Sequence, residues 1–265
     1  MIDAQIESLA DLPRPANGRR QVMFVHPSAP PVGRGLTPGV RVTLDVLKPG
    51  EETVPVRQNA TQVNFCIRGS GRAVVGERTI SYAQYDAWSH PSYATYRHIN
   101  DSKGLHARLT YSNAALLEMM RVLLVEDDPR VAGVAAEEEA TGAEALPTFT
   151  IGADGAALMP YETLISPPAV PSRCLHWPWH TVKEQLDKLA ALGESYRGRR
   201  LYLLFNPRTD RFNGTTPNFF ATITIRPPES STSPIGTSRL PSTTTFAAPA
   251  TAAWKASGTS GRQAI

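Results

Sequence analysis

The groups able to do chemistry in this chain are six histidines, two cysteines and a set of amides and phenols on strand-like segments. Cys66 and Cys174 stand alone, with no CxxC or other ligand spacing. Two lone thiols fit a reducing compartment better than a disulfide framework. His176 and His180 lie four apart in LHWPWHT, a spacing that suggests a helical ligand pair. Pro178 and a capping box of Thr181 with Glu184 place both ahead of a helix, so packing is their expected role. His26, His90 and His106 fall in no pattern, which leaves His98. On strand alternation Val56, Gln58, Gln62, Asn64 and Cys66 share one face, as do Tyr96 and His98. Such groups can hydrogen-bond a small molecule. They cannot supply the imidazole and carboxylate donors of a non-haem iron site, because valine has no lone pair and a glutamine oxygen is a weak neutral ligand. Two readings stay open. The polar side chains fill the interior and satisfy one another, or Gln58, Gln62, Asn64, Tyr96 and His98 line a small-molecule pocket.

The elements that must position these residues are strands. RVTLDVLKPG alternates and ends on Pro-Gly. TQVNFCIRGSGRAVV reads as strand, Gly-Ser-Gly turn and strand; ERTISYAQYDAWSHPS and ARLTYSN follow at the spacing of a barrel or jelly roll. ALLEMMRVLL closes this part as a short helix or a strand. The chain divides into an irregular, proline-rich arm after a short helix (1–35), a barrel (36–125) and an acidic linker (126–160). A helix with two further strands (161–229) and a tail (230–265) complete it. The linker holds seven acids within EDDPRVAGVAAEEEATGAE and shows no strand period. The helix carries Val182, Leu186 and Leu189 on one face, with Gly193 as its stop. GRRLYLLFNP and NFFATITIRPP are clear strands. The tail has seven Ser, seven Thr, seven Ala and no acid, so it is expected to be disordered.

The spacing of glycines and donor positions resembles the two motifs of the cupin superfamily. The first runs Gly, five residues, His-x-His, three residues, Glu, six residues, Gly. Here it reads Gly50, EETVP, Val56-Arg57-Gln58, NAT, Gln62, VNFCIR, Gly69. The second, GD-x4-P-x4-H, reads Tyr85-Asp86, AWSH, Pro91, SYAT, Tyr96. With its order of strand, linker, helix and strand, the chain resembles bicupins of the gentisate and 1-hydroxy-2-naphthoate dioxygenase type up to Pro228. The resemblance implies an all-β fold: a cupin double-stranded β-helix (jelly-roll barrel), one complete and a second begun, with short helices. It also implies an ancestral chemistry in which Fe(II) takes a hydroxylated aromatic acid and dioxygen and the ring is cleaved. A homo-oligomer is a further family expectation. This chain departs from the pattern at all four ligand positions, Val56, Gln58, Gln62 and Tyr96. No catalytic, metal or cofactor-binding residue can therefore be carried over.

An internal repeat with an offset of 179 aligns TLDVLKP at 43–49 with TITIRPP at 222–228, and the likeness stops at Glu229. It resumes if the codons beyond are read one nucleotide earlier. Glu229 then permits glycine, Ile235 and Thr237 permit histidine, and Gly236 permits arginine. The frame so opened allows Gly, five residues, His-Arg-His, a strand and GSG, at the spacings of the first motif. The expectation is a single-base slip near Glu229 that replaces a metal-bearing second cupin.

Bulk properties set outer limits. The chain has 265 residues, a net charge of +3, 23 prolines and 19 glycines. No Lys/Arg run suggests a nucleic-acid track, and no apolar stretch reaches the length of a membrane span. A cytoplasmic protein is expected, since MIDAQIESLADL lacks the basic and apolar regions of a signal peptide. Two functions compete: a truncated, inactive member of an iron-dependent ring-cleaving lineage, and a metal-free cupin serving as a small-ligand-binding or dimerisation module.

Overall fold

A computed structural model describes residues 2–129, 149–151, 153–161, 173–192, 200–207, 214–216, 219–226 and 243–249. The chain forms two compact units, one of Met1–Asp128 with Arg173–Ile265 and one of Pro129–Ser172.

The first unit is built on two antiparallel sheets. One has six strands, in the order β1 (Arg20–Phe24), β2 (Arg41–Leu47), β9 (His106–Ser112), β4 (Gln62–Arg68), β7 (Ala87–His90) and β13 (His176–Trp177). The other has five, in the order β10 (Val125–Asp127), β3 (Val56–Gln58), β8 (Tyr96–Ile99), β5 (Gly71–Val75) and β6 (Arg78–Tyr82). The Gly-Ser-Gly segment therefore does not close a hairpin; it carries the chain from one sheet to the other. Gly69 makes that crossing possible. Its φ is +79°, and a Cβ there would lie 2.3 Å from the Leu105 carbonyl oxygen.

The two faces of the six-stranded sheet differ in chemistry. Val42, Leu44 and Val46 of β2, Val63 and Phe65 of β4, and Ala107, Leu109 and Tyr111 of β9 belong to one apolar cluster. Ile6, Leu9 and Ala10 of α1 (Ile2–Asp11) and Leu186 of α3 (Trp179–Ala190) complete it from outside the sheet. The alternate residues, including Asp45, Gln62, Asn64, His106, Arg108 and Thr110, are buried as well. They fall on the opposite face, toward the second sheet. The apolar residues thus hold the barrel to its surroundings, and the polar ones occupy its interior.

Several boundaries differ from those read in the sequence. The arm at 1–35 contributes β1, which pairs with β2 from Arg20↔Val46 to Phe24↔Val42. Buried Arg20, ion-paired to Glu51, anchors it. At the start of the acidic linker, Glu126 and Asp127 belong to β10, whose pairing with β3 is helped by an Arg57–Glu126 ion pair. ALLEMMRVLL yields only α2 (Ala114–Met119). Pro178 is the N-cap of α3, so Thr181 sits inside the helix and His180 is a helical, exposed residue. Proline is suited to this place because its missing N–H is not needed at a helix start. Gly193 lies outside the described residues.

β14 (Leu201–Leu203) and β15 (Phe220–Arg226) pair antiparallel, and β16 (Thr243–Pro249) runs parallel to β15. The tail expected to be disordered therefore supplies a strand. An open edge presents unpaired backbone groups to any extended segment, and TTTFAAP carries three β-branched residues suited to that conformation. Residues 230–242 and 250–265 lie outside the described residues. The second unit contains a short hairpin of β11 (Phe149–Thr150) and β12 (Ala157–Leu158).

Candidate functional site in the barrel interior

Alternation on six strands brings the polar side chains together. Gln58 on β3 donates from Nε2 to the Tyr96 hydroxyl on β8 at 2.8 Å. Burial pushes the Tyr96 phenol up to about 12, so it stays protonated at neutral pH. His90 accepts from the Trp88 indole N–H at 3.0 Å through Nε2. Its Nδ1 must then carry the proton, and it lies 3.0 Å from Gln62 Oε1. Thr110 donates to Asn64 Oδ1 at 2.9 Å, and Thr43 donates to Asp45 at 2.8 Å. Arg108 meets Asp45 at 3.2 Å, both nearly fully buried. His98 is buried beside His90, with ring centroids 5.1 Å apart, and His106 stands 5.1 Å from the Tyr82 ring. Desolvation, with the Arg108 charge adding to it, holds His90, His98 and His106 well below the ordinary histidine range. All three are neutral at pH 7.

No family model matches the chain. A 5-nitrosalicylic acid 1,2-dioxygenase from Bradyrhizobium sp is 31% identical over 130 residues, which are 46% of this chain and 62% of that protein. The salicylate 1,2-dioxygenase of Pseudaminobacter salicylatoxidans superposes with a TM-score of 0.55 at 17% identity, over 78% of this chain and 59% of that one. A tryptophan-to-tyrosine variant of that enzyme in complex with gentisate gives 0.57 at 18% identity, over 78% and 57%. The likeness to these solved structures shows a shared fold. The chain spans roughly three fifths of the length of these relatives, 57–62%.

Within this barrel the four positions singled out by motif spacing, Val56, Gln58, Gln62 and Tyr96, do come together, but with chemistry unsuited to a metal. Val56 pairs with Tyr96 across β3 and β8, Gln58 is bonded to Tyr96, and Gln62 to His90. Their donors and acceptors are engaged with one another, so these positions do not fit Fe(II). Among the described residues, no group of three His, Cys, Asp or Glu is placed to hold a metal ion. Of the expected lining, Gln58, Gln62, Asn64, Tyr96 and His98 all face this interior. Cys66 lies deeper, in an apolar cluster with Tyr82, Trp88 and Cys174, and burial pushes both thiols up to about 12.

Sequence reasoning took His98 for the only histidine here, yet His90 and His106 belong to the same interior. The signal was present. His90 lies two residues after Trp88 on β7, and His106 two before Arg108 on β9. Starting the last strand at Ala107 cut His106 from the polar register of Arg108, Thr110 and Ser112. His176, expected to pack, instead bonds Asp86 at 2.9 Å.

Proposed function

We propose that this cupin descends from ring-cleaving dioxygenases and that its complete barrel binds a small aromatic acid without cleaving it. The observation that carries this is the mutual hydrogen bonding at the ligand positions, Gln58 with Tyr96 and Gln62 with His90. A barrel whose motif positions satisfy one another offers no open metal coordination. The relatives named for salicylate chemistry, and the one solved with gentisate, support an aromatic acid as the ligand class. In the intact lineage Fe(II), dioxygen and a homo-oligomer belong to the same reading, with the metal in the second cupin that the slipped frame near Glu229 removes.

The test is to load the purified chain anaerobically with Fe(II), then measure bound iron and oxygen uptake with gentisate and salicylate. The expected result is binding of the acids, less than stoichiometric iron and no uptake. Stoichiometric iron with ring cleavage would overturn the reading.

A further inference from the structure

We propose that a groove lined by Arg14, Arg19 and Arg20, where α1 gives way to β1, binds a small oxyanion carried on a short apolar group. The inference does not rest on the reading of the barrel interior.

A cavity of about 320 Å³ opens there, beside the free edge of the six-stranded sheet. That volume lies at the lower end of the range for small-molecule sites. Leu12, Pro13 and Pro15 supply apolar walls, and the three arginines supply charged donors.

The loop that carries these residues is set before any ligand arrives. Pro13 and Pro15 have fixed φ angles. Gly18 turns the chain at a φ of +69°, and its amide donates to the Pro15 carbonyl at 2.9 Å. The Val54 amide donates to the Asn17 carbonyl at 3.0 Å, which ties the loop to the segment entering β3. Each guanidinium is aimed by a backbone carbonyl. Arg14 donates to Glu52 at 2.8 Å, Arg19 to Val54 at 3.2 Å and Arg20 to Leu12 at 2.8 Å. Groups ordered in this way lose less entropy when a ligand binds.

A carbonyl orients a guanidinium without neutralising it, so the charge balance decides what the groove attracts. Three guanidinium groups here meet two carboxylates. Glu51 is taken up by Arg20 and by the Lys48 amide, which donates to it at 2.9 Å. Asp127 meets Arg19 at 3.2 Å, but its side chain is 60% exposed, and an ion pair so open to water holds weakly. Glu52 turns its carboxylate away to Arg97 at 2.8 Å. Arg14 has no ion pair among the described residues and acts on Glu51 only at longer range. The Leu12 carbonyl just beyond α1 would repel an anion, and Arg20 covers it. The remaining N–H groups of Arg14 and Arg19 are planar donor forks that match an oxyanion. The apolar part of the ligand then lies on Leu12, Pro13 and Pro15. A phosphate ester and a carboxylate share this chemistry.

The experiment is calorimetric titration of the full chain at low ionic strength with butyl phosphate, butyrate, inorganic phosphate and butylammonium, repeated on Arg14→Gln and Arg19→Gln. Melting curves verify that each variant folds; Arg14 is exposed, so Arg14→Gln should melt with the native chain. We expect at least one butyl anion to bind, inorganic phosphate to bind several-fold more weakly than butyl phosphate, and butylammonium not to bind. Each variant should weaken the bound anion by about fivefold or more, the size of a charge-assisted bond near the surface. A loss confined to butyl phosphate makes a phosphate ester the ligand, and a loss confined to butyrate makes it a carboxylate. No anion bound by the native chain, butylammonium bound as tightly as the anions, or a folded Arg14→Gln chain with unchanged anion affinity overturns the site.

Discussion

At the scale of the residue, the barrel interior is held by polar side chains that satisfy one another. His90 is central to this, taking the Trp88 N–H on one nitrogen and meeting Gln62 with the other. Replacing His90 with phenylalanine strands both partners, so a loss of about 2–4 kcal/mol is expected in urea unfolding, two unsatisfied groups at 1–3 each less some gain in apolar burial. A loss under about half a kcal/mol would mean water already serves these groups. Tyr85 is a second informative residue. It occupies the glycine of the second motif and keeps a glycine-like φ of +74°. Left-handed backbone costs a residue with Cβ about 1–2 kcal/mol. Against this, Tyr85 packs on Phe65 and Trp179, with ring centroids at 6.3 and 5.5 Å. Aromatic pairs contribute about 0.5–1.5 kcal/mol each beyond area burial. The packing outweighs the strain, so Tyr85→Gly should lower the melting temperature although it restores the motif.

At the scale of the element, Asp86 fastens β13 and α3 to the barrel. One carboxylate oxygen accepts from the Trp179 amide at 2.6 Å; the other accepts from the Ala83 amide and meets His176. Burial alone would raise its pKa, but the His176 bond and the two amides outweigh that and leave it lowered. A carboxyl with a depressed folded pKa contributes its stability in full above the unfolded value of about 3.9, and loses it as pH falls through the folded value. Asp86→Asn should therefore destabilise the chain by about 1–3 kcal/mol at pH 7. The gap to the native protein should close below about pH 4. Unfolding curves at pH 7, 5 and 3.5, followed by tryptophan fluorescence, measure it; a gap constant across that range would refute the clamp. This fastening was not legible in the sequence, because an aspartate and a helix start 93 residues apart share no local pattern. What was legible was local: the alternation of β2, β4 and β9, the glycines at 50 and 69, and the polar set from Gln58 to His98. The register that placed His106 inside needed only one strand start to be set a residue earlier. Pairing partners were harder to read, since GSG between two strands looks like a hairpin and is a crossing between sheets.

At the scale of the whole molecule, the question is what β15 was made to pair with. Its sequence TITIRPP repeats the strand that enters the first barrel's motif, where TLDVLKP leads to Gly50. In that barrel the entering strand β2 pairs with β9 along seven residues, Arg41↔Ser112 to Leu47↔His106. β15 instead takes β16 in parallel on one side and the three-residue β14 on the other. Parallel pairing is slightly less stable per residue than antiparallel, and an edge filled by a Ser/Thr/Ala-rich segment remains open to other chains. If the tail results from a slipped base, sequencing the coding DNA from the Phe220 codon onward should show the second cupin in the neighbouring frame. Restoring that frame should then give a chain that binds about one metal ion per protomer through its His-Arg-His motif. The same chain should melt higher and stay soluble at concentrations where the present one precipitates. A neighbouring frame without the motif would make the tail genuine. The barrel would then act as a metal-free binding module, and its affinity for aromatic acids would be the whole of its chemistry.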